Sequence, residues 1–270
     1  MNIAFIGGGN MAAALIGGLL RQGFAATAIT VVEIDPAGRE RLGHAHGVRA
    51  IAAPDASLAA AEVIVLAVKP QNMRVATASI APYLGRQLVL SIAAGIRLTD
   101  LRRWLGGHEH LVRGMPNTPA LIGQGITALY APAAVTVEQR AAAECIAAAV
   151  GKTVWVDDEA LIDPVTALSG SGPAYVFYFL EALQAGGHAL GLADETARQL
   201  ALQTFVGAAQ LAAISPETFA TLRERVTSKG GTTAAALAVM NEHGIAQSIG
   251  TALKAASERG REMGETMGKD

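Results

Sequence analysis

The chain has 270 residues, with 21 Lys and Arg against 23 Asp and Glu, a formal net charge of −2 and one cysteine, Cys145. This length suits one large or two modest domains that need no disulfide or structural metal, and the balanced charge leaves no positive field for nucleic acid. The apolar fraction is 51%, but its longest runs, Val63–Val68 and Ala174–Leu180, fall far short of the roughly 20 residues that span a bilayer, so no membrane partner is expected.

From the N-terminus, short β-branched runs alternate with helical patterns, the mark of βαβ units on a mostly parallel sheet. Strands are expected at IAFIG, AITVVE, VIVLAV, QLVLSI, HLVRGM, GITALY and TVWVD. Helices are expected over Met11–Gln22, Pro36–His44, Asn72–Tyr83, Thr99–Leu105 and Thr136–Val150. Past Asp157 the β-rich runs stop. Apolar positions then recur at helical spacing, with breaks at Gly186-Gly187, Ser215-Pro216, Gly230-Gly231 and Gly244, and the polar end GREMGETMGKD reads as a frayed tail. The expected organisation is an α/β Rossmann-like domain over residues 1–157, followed by an all-helical domain over 158–270. Opening on a strand with no basic leader, and carrying a single cysteine, the chain reads as cytoplasmic.

The first strand runs straight into Gly7-Gly8-Gly9-Asn10-Met11-Ala12, a G-x-G-x-x-A turn that opens a helix. In a dinucleotide site Gly7 permits the tight turn, Gly9 leaves room for a pyrophosphate, and the helix N-terminus offers free N–H groups and a partial positive charge. Glu33 ends the second strand, about 20 residues on, where an acid accepts hydrogen bonds from the adenosine ribose. Ala67-Val68-Lys69-Pro70 and Ala93-Ala94-Gly95 follow two further strands. Their small residues suit close approach of a dinucleotide, and equally suit ordinary strand-to-helix turns.

In the helical half, Ser169-Gly170-Ser171-Gly172 and Thr227-Ser228-Lys229-Gly230-Gly231-Thr232-Thr233 each precede an apolar helix. Hydroxyls and glycines there make either an anion cradle or plain helix caps. The pairs His44-x-His46 and His108-x-His110 lack accompanying ligands at metal-site spacing, so no metal is expected. Ala174–Leu192 and Ala197–Ala213 carry more apolar residues than one helix face can hide in a small domain, which points to a homodimer.

Taken together with AVKP, SIAAG and Met115-Pro116-Asn117-Thr118-Pro119, these segments resemble the pyrroline-5-carboxylate reductases along the whole chain. LRERVTSKGGTTAAALAVMN, Leu222 to Asn241, is similar to that family's C-terminal signature nearly residue by residue. Arg225 and Lys229 depart from it, standing where relatives often carry asparagine and proline. The resemblance implies NADPH or NADH as cofactor, held by Ile6, Gly7, Gly8, Gly9, Asn10 and Met11, by Ala67, Val68, Lys69 and Pro70, and by Ala93, Ala94 and Gly95. It further implies a small-molecule substrate whose carboxylate is held by Ser228, Gly230, Gly231, Thr232 and Thr233, with the catalytic Thr233 hydroxyl near a ring nitrogen. An interleaved homodimer, or a higher homo-oligomer of dimers, is implied as well.

Reducing a carbonyl produces an alkoxide that needs a proton donor, whereas a cyclic imine is protonated before hydride arrives. No lysine occurs from Thr153 through Ser228, which argues against the related β-hydroxyacid dehydrogenases. A non-catalytic dinucleotide sensor on the same fold stays open at this level. For cofactor choice, Glu33 with Asp35 close by favours NADH at least as much as NADPH, unless Arg39 and Arg41 on the following helix reach back to a phosphate.

Overall fold

Successive strand residues face opposite sides of a sheet, so strands covered by helices on both sides are apolar throughout rather than alternating. The computed structural model, which describes residues 1–269, shows this at β1 (Ile3–Ile6), with all four residues buried. Ile3 and Phe5 join one core cluster while Ala4 and Ile6 join the other. The first helix, α1 (Asn10–Arg21), packs Leu15, Ile16 and Leu19 into the first cluster. Next come β2 (Ile29–Val32) and α2 (Pro36–His46). The start of α2 is set by Asp35, whose carboxylate accepts from the N–H groups of Ala37 and Gly38, and by Pro36 in the first turn.

The sheet continues through β3 (Arg49–Ile51), β4 (Val63–Leu66), β5 (Leu88–Ser91), β6 (Leu111–Met115), β7 (Gly125–Tyr130) and β8 (Gly151–Trp155). Helices α3 (Met73–Ile80) and α4 (Leu98–Trp104) cover the second face through Met73, Ile80, Leu98 and Leu101. The first face also receives α5 (Val137–Ala148), which opens on a reciprocal Thr136–Gln139 capping box. Strand order is β3-β2-β1-β4-β5-β6-β7-β8, parallel except where β6 meets β7. Seven of the eight strands fall on the expected segments in order, the last, at TVWVD, beginning earlier, at Gly151. Unforeseen was β3: three residues on the sheet edge, led by an exposed Arg49, are too few to show a period.

After β8 the chain is helical, through α6 (Ile162–Val165), a π-turn at Thr166–Gly170, α7 (Gly172–Ala189), α8 (Asp194–Ile214), α9 (Phe219–Arg225), α10 (Thr232–Glu242) and α11 (Ile245–Met267). Three sequence expectations change here. Gly186-Gly187 does not break a helix. It lies inside α7, where a β-carbon on Gly187 would sit 3.0 Å from that of Ala197, so the glycine admits α8 at close range. Ser169-Gly170-Ser171 is not a free helix start either, because the Ser171 N–H donates to the Thr166 carbonyl within a continuous helical run. Lastly, Gly260–Met267 of the polar end form the last turns of α11 and not a frayed tail, while Asp270 lies outside the described residues.

The chain divides into two compact units: Met1–Gly172 together with Lys254 onward, and Pro173–Leu253. The composition shift near Asp157 therefore marks the end of the sheet, while the unit built on the sheet extends to Gly172 and regains the chain from Lys254. In the second unit α7, α9 and α10 bury no residue within the chain, and Tyr178, Leu190 and Ile214 are 70%, 87% and 83% exposed. Among the described residues no helix is long and apolar enough to cross a membrane.

At the amino ends of β5 and β6 the His108 ring lies 2.9 Å from the Gln87 carbonyl and edge-on to His110, and burial lowers its pKa from the usual 6.5. A base whose pKa is lowered by folding binds fewer protons folded than unfolded, so stability is complete above about pH 6.5 and falls as the pH drops through the folded value. Thermal melts at pH values from about 7 down to about 5 should show the midpoint falling, with a smaller fall in His108→Gln.

Candidate active site

In a doubly wound sheet the ligand crevice opens at the carboxyl ends of the strands, where the order of connection reverses. Here β1 lies between β2 and β4, so the reversal falls between β1 and β4. The turns after β1, β4 and β5 leave the sheet side by side: Ala67 N–H donates to the Ile6 carbonyl at 2.8 Å, and Ile92 N–H to that of Leu66 at 3.1 Å. The structure thus gathers Ile6–Met11, Ala67–Pro70 and Ala93–Gly95 on one edge, from three distant stretches of chain.

The three glycines of the first turn have different constraints. Gly7 has φ +97°, and a β-carbon on it would lie 2.9 Å from both the Ala67 carbonyl oxygen and Val68 Cγ1. Space at Gly8 is filled by Leu42. Beside Gly9 nothing lies within 4 Å of a β-carbon position, and Gly9 is the N-cap of α1 with no side-chain cap. Only Gly9 keeps open space in front of a helix N-terminus, which is what a pyrophosphate requires.

Glu33 lies at the end of β2, half-buried, with both carboxylate oxygens engaged. Gly8 N–H donates to Oε2 at 2.7 Å and Asp35 N–H to Oε1 at 2.8 Å. The side chain therefore ties the glycine turn to the turn after β2, a bracing role that strand position alone does not reveal. Both arginines of α2 reach back: Arg39 Nη1 donates to the carbonyls of Glu33 and Ile34 at 2.8 and 2.9 Å, and Arg41 Nη2 to that of Gly8 at 3.4 Å. An acid and two guanidinium groups thus share the end of β2, where the sequence by itself could not say whether the arginines turned inward.

The third turn is held by residues remote in sequence. Gly95 has φ +73°, and a β-carbon there would lie 3.4 Å from Met263 Cβ and 3.7 Å from Met267 Sδ. Just beyond it, Arg97 pairs with Asp163 at 3.6 Å, and the Leu98 N–H donates to Glu159 Oε1 at 2.8 Å. Arg113 on β6, 2% exposed, pairs with Glu159 at 3.1 Å and with Asp163 at 3.8 Å. None of these partners carries a motif, so nothing in the sequence marked them.

Within the second unit, Ser228–Thr233 forms the turn between α9 and α10. Gly231 N–H donates to the Ser228 carbonyl at 3.0 Å and Gly230 has φ +72°. Gly231 is the N-cap of α10 at φ −80°, and a β-carbon on it would collide with Ser228 Oγ. Among the described hydrogen bonds none involves the hydroxyls of Ser228, Thr232 or Thr233, so capping does not account for them. The turn offers the first N–H groups of a helix and three hydroxyls, a donor set suited to a carboxylate. Arg225, at the end of α9, pairs with Glu217 at 2.5 Å.

Comparison with known proteins agrees with this architecture. Residues 159–263 match the family described as pyrroline-5-carboxylate reductase dimerisation, and residues 2–95 match one described as NADP oxidoreductase, coenzyme F420-dependent. A pyrroline-5-carboxylate reductase of Pseudomonas aeruginosa is 46% identical over 268 residues, covering 99% of this chain and 98% of the relative. The solved structure of a pyrroline-5-carboxylate reductase from Coxiella burnetii superposes with a TM-score of 0.91 at 38% identity, covering 97% of this chain and 98% of that one. That of the Plasmodium falciparum enzyme with NADP bound gives 0.86 at 27% identity over 98% of both chains. On sequence and fold alike, the chain belongs to the pyrroline-5-carboxylate reductase family.

Proposed function

We propose that the chain uses NADPH or NADH to reduce the cyclic imine 1-pyrroline-5-carboxylate to proline, the last step of proline biosynthesis. The observation that carries this reading is similarity to reductases of that name along 99% of the chain. The two alternatives, a β-hydroxyacid dehydrogenase and a dinucleotide sensor, have no comparable support. Purified protein with pyrroline-5-carboxylate and either reduced cofactor should consume the cofactor absorbance near the ultraviolet edge; no oxidation of either one would sink the reading.

We assign the dinucleotide to Ile6, Gly7, Gly8, Gly9, Asn10 and Met11, Glu33, Ala67, Val68, Lys69 and Pro70, and Ala93, Ala94 and Gly95. The open space at Gly9 before an uncapped helix supports a pyrophosphate there. When bound, the reduced nicotinamide supplies hydride. Ser228, Gly230, Gly231 and Thr232 are assigned to the substrate carboxylate and the Thr233 hydroxyl to the ring nitrogen. Hydride adds to the imine carbon while the π electrons move to the nitrogen, which already carries a proton and becomes a secondary amine. The chain's task is then orientation, and a neutral hydroxyl suffices for it.

In this reading residues 1–157 bind the dinucleotide, and 158–270 bind substrate and form the homodimer. Support for the dimer comes from the exposed apolar helices and the matched dimerisation family. We place the enzyme in the cytoplasm, where the lone Cys145 would stay reduced.

The glycine turn separates stability from binding. Gly9→Val has room and should fold normally, yet lose at least about tenfold in dinucleotide affinity by blocking the phosphates. Gly7→Ala instead meets the Ala67 carbonyl at positive φ and should lower the thermal midpoint by several degrees, reflecting about 1–3 kcal/mol of strain. Melting curves and fluorescence titrations of the two variants should show this crossed pattern.

In the second turn, Thr233→Ala should lower kcat about tenfold or more while leaving the dinucleotide constant nearly unchanged, because the lost hydroxyl orients only the imine. Steady-state kinetics with each substrate varied in turn would contradict the role if cofactor affinity fell and turnover did not.

Cofactor choice turns on Glu33. Its oxygens keep lone pairs for ribose hydroxyls beyond the two backbone N–H bonds, so NADH should be used at least as well as NADPH. Glu33→Ser, leaving Arg39 and Arg41 beside an added phosphate, should move the ratio of kcat/KM values toward NADPH by about 1–3 kcal/mol. A strong wild-type preference for NADPH that the substitution leaves unchanged would show that Glu33 does not face the ribose.

A further inference from the structure

The loop that joins β5 to α4 is fixed at both ends and shaped in the middle. Ile92 is stitched to β4 through the Leu66 carbonyl, and Leu98 N–H is held by Glu159. Between them the chain turns at Ala94-Gly95, with Gly95 in a left-handed conformation at φ +73°. What lies against it is the end of α11: Met263 and Met267 flank Gly95, and Met267 packs into the second core cluster.

The same helix carries Gly260 and Gly264 on one face, and Gly268 continues their spacing of four in the turn just past its end. Each lies against a charged group of the loop's surroundings. A β-carbon on Gly260 would be 3.8 Å from Asp163 Oδ1, and one on Gly264 would be 3.0 Å from Arg97 Nε and 3.3 Å from the Gly95 carbonyl oxygen. One on Gly268 would collide with the Asp100 carboxylate, and the Gly268 carbonyl accepts from Arg103 Nη2. Glycine inside a helix costs up to about 1 kcal/mol relative to alanine, so such a face persists where close approach offsets the cost. Gly264 is the buried residue of α11. Arg97 is thereby confined twice, by the bare face of the helix and by Asp163. Asp163 in turn divides its oxygens between Arg97 and the buried Arg113, whose other partner, Glu159, also holds Leu98.

We infer that the last turns of α11, acting through Arg97 and the Asp163–Arg113–Glu159 cluster, are positioning elements for reduced-dinucleotide binding, setting the path of Ala93–Gly95. This rests on the assignment of Ala93–Gly95 to the dinucleotide made above. The helix touches no reacting atom. It fixes where a backbone segment stands, and a displacement of about 1 Å in such a segment is enough to cost as much as a hundredfold in function.

The test uses full-length protein with Gly264→Leu, which pushes against Arg97 and the Gly95 carbonyl, and separately with Met263→Ala combined with Met267→Ala, which removes the support without adding bulk. Measured are the dissociation constant for NADPH from its fluorescence without substrate, KM for each substrate, kcat and the thermal midpoint. The expected result is a rise of about tenfold in the NADPH dissociation constant and KM, with KM for the imine within about twofold of wild type. Gly264→Ala, with a smaller intrusion, should recover most of the affinity. A merely structural role would lower the midpoint and leave the split between the two KM values unmoved. Wild-type NADPH affinity in both the Leu and the double-Ala variants overturns the inference; should Gly264→Leu fail to fold, the double-Ala and Gly264→Ala variants decide on the same criterion. Gly9→Val serves as the parallel control. If it loses NADPH while the α11 variants bind normally, only this inference falls, and if it binds like wild type, the dinucleotide assignment falls and this inference with it.

Discussion

The contact on which the candidate site depends most directly is the approach of Gly7 to the backbone of Ala67, close enough that a β-carbon would be 2.9 Å from the carbonyl oxygen. Parallel strands 4.7–4.9 Å apart leave little room for two turns to emerge side by side. The first turn must therefore bend at once, and a residue without a side chain, at φ +97°, does so. Once it has bent, α1 starts with its N–H groups aimed over the edge of the sheet. The open position beside Gly9 follows from that geometry together with the absence of a side chain on Gly9 itself.

A second level of order is electrostatic. Glu33 uses its carboxylate to bind the glycine turn to the start of α2, Asp35 caps that helix, and Arg39 draws the intervening carbonyls together. Charges that look in the sequence like ligand contacts are thus also the local scaffold. The consequence for function is that substitutions at Glu33 act on shape as well as on recognition, and only the ratio between two cofactors separates the effects. Across the sheet, the cluster of Arg97, Arg113, Glu159 and Asp163 plays the comparable part for the turn after β5, drawing on residues far apart in the chain.

The helical unit follows a different rule. Its helices carry apolar residues around much of their circumference and bury few of them within one chain, Ala197 and Ala201 being the buried residues of α8. Small residues there serve close packing, as Gly187 does against Ala197, while large ones such as Leu190 and Ile214 remain exposed. Surfaces of that kind are stable in water when a second surface covers them. The fold of this half and its association are consequently one problem, in keeping with a family defined by dimerisation.

Local pattern carried a great deal: β-branched runs at βαβ spacing placed seven strands, G-x-G-x-x-A located the turn after β1, and the stretch Leu222–Asn241 identified the family. Each rests on residues that act on near neighbours, through side-chain alternation, φ at a turn or a helix start, and those effects are written in adjacent positions. Some local signals misled. Gly186-Gly187 looked like a break because glycine is a poor helix former, yet packing against α8 outweighed that preference. The last residues looked frayed because they are polar, yet a bare glycine face let them seat against Gly95, Arg97 and Asp163. Gly230 and Gly231 were a pair on paper, whereas the fold gives the first a left-handed backbone and the second a collision to avoid with Ser228. So the sequence by itself determined the type and order of the elements and the family. Tertiary structure alone decided which charges brace the turns and what holds Gly95, because those contacts join residues up to 170 or so positions apart, where no periodicity links them.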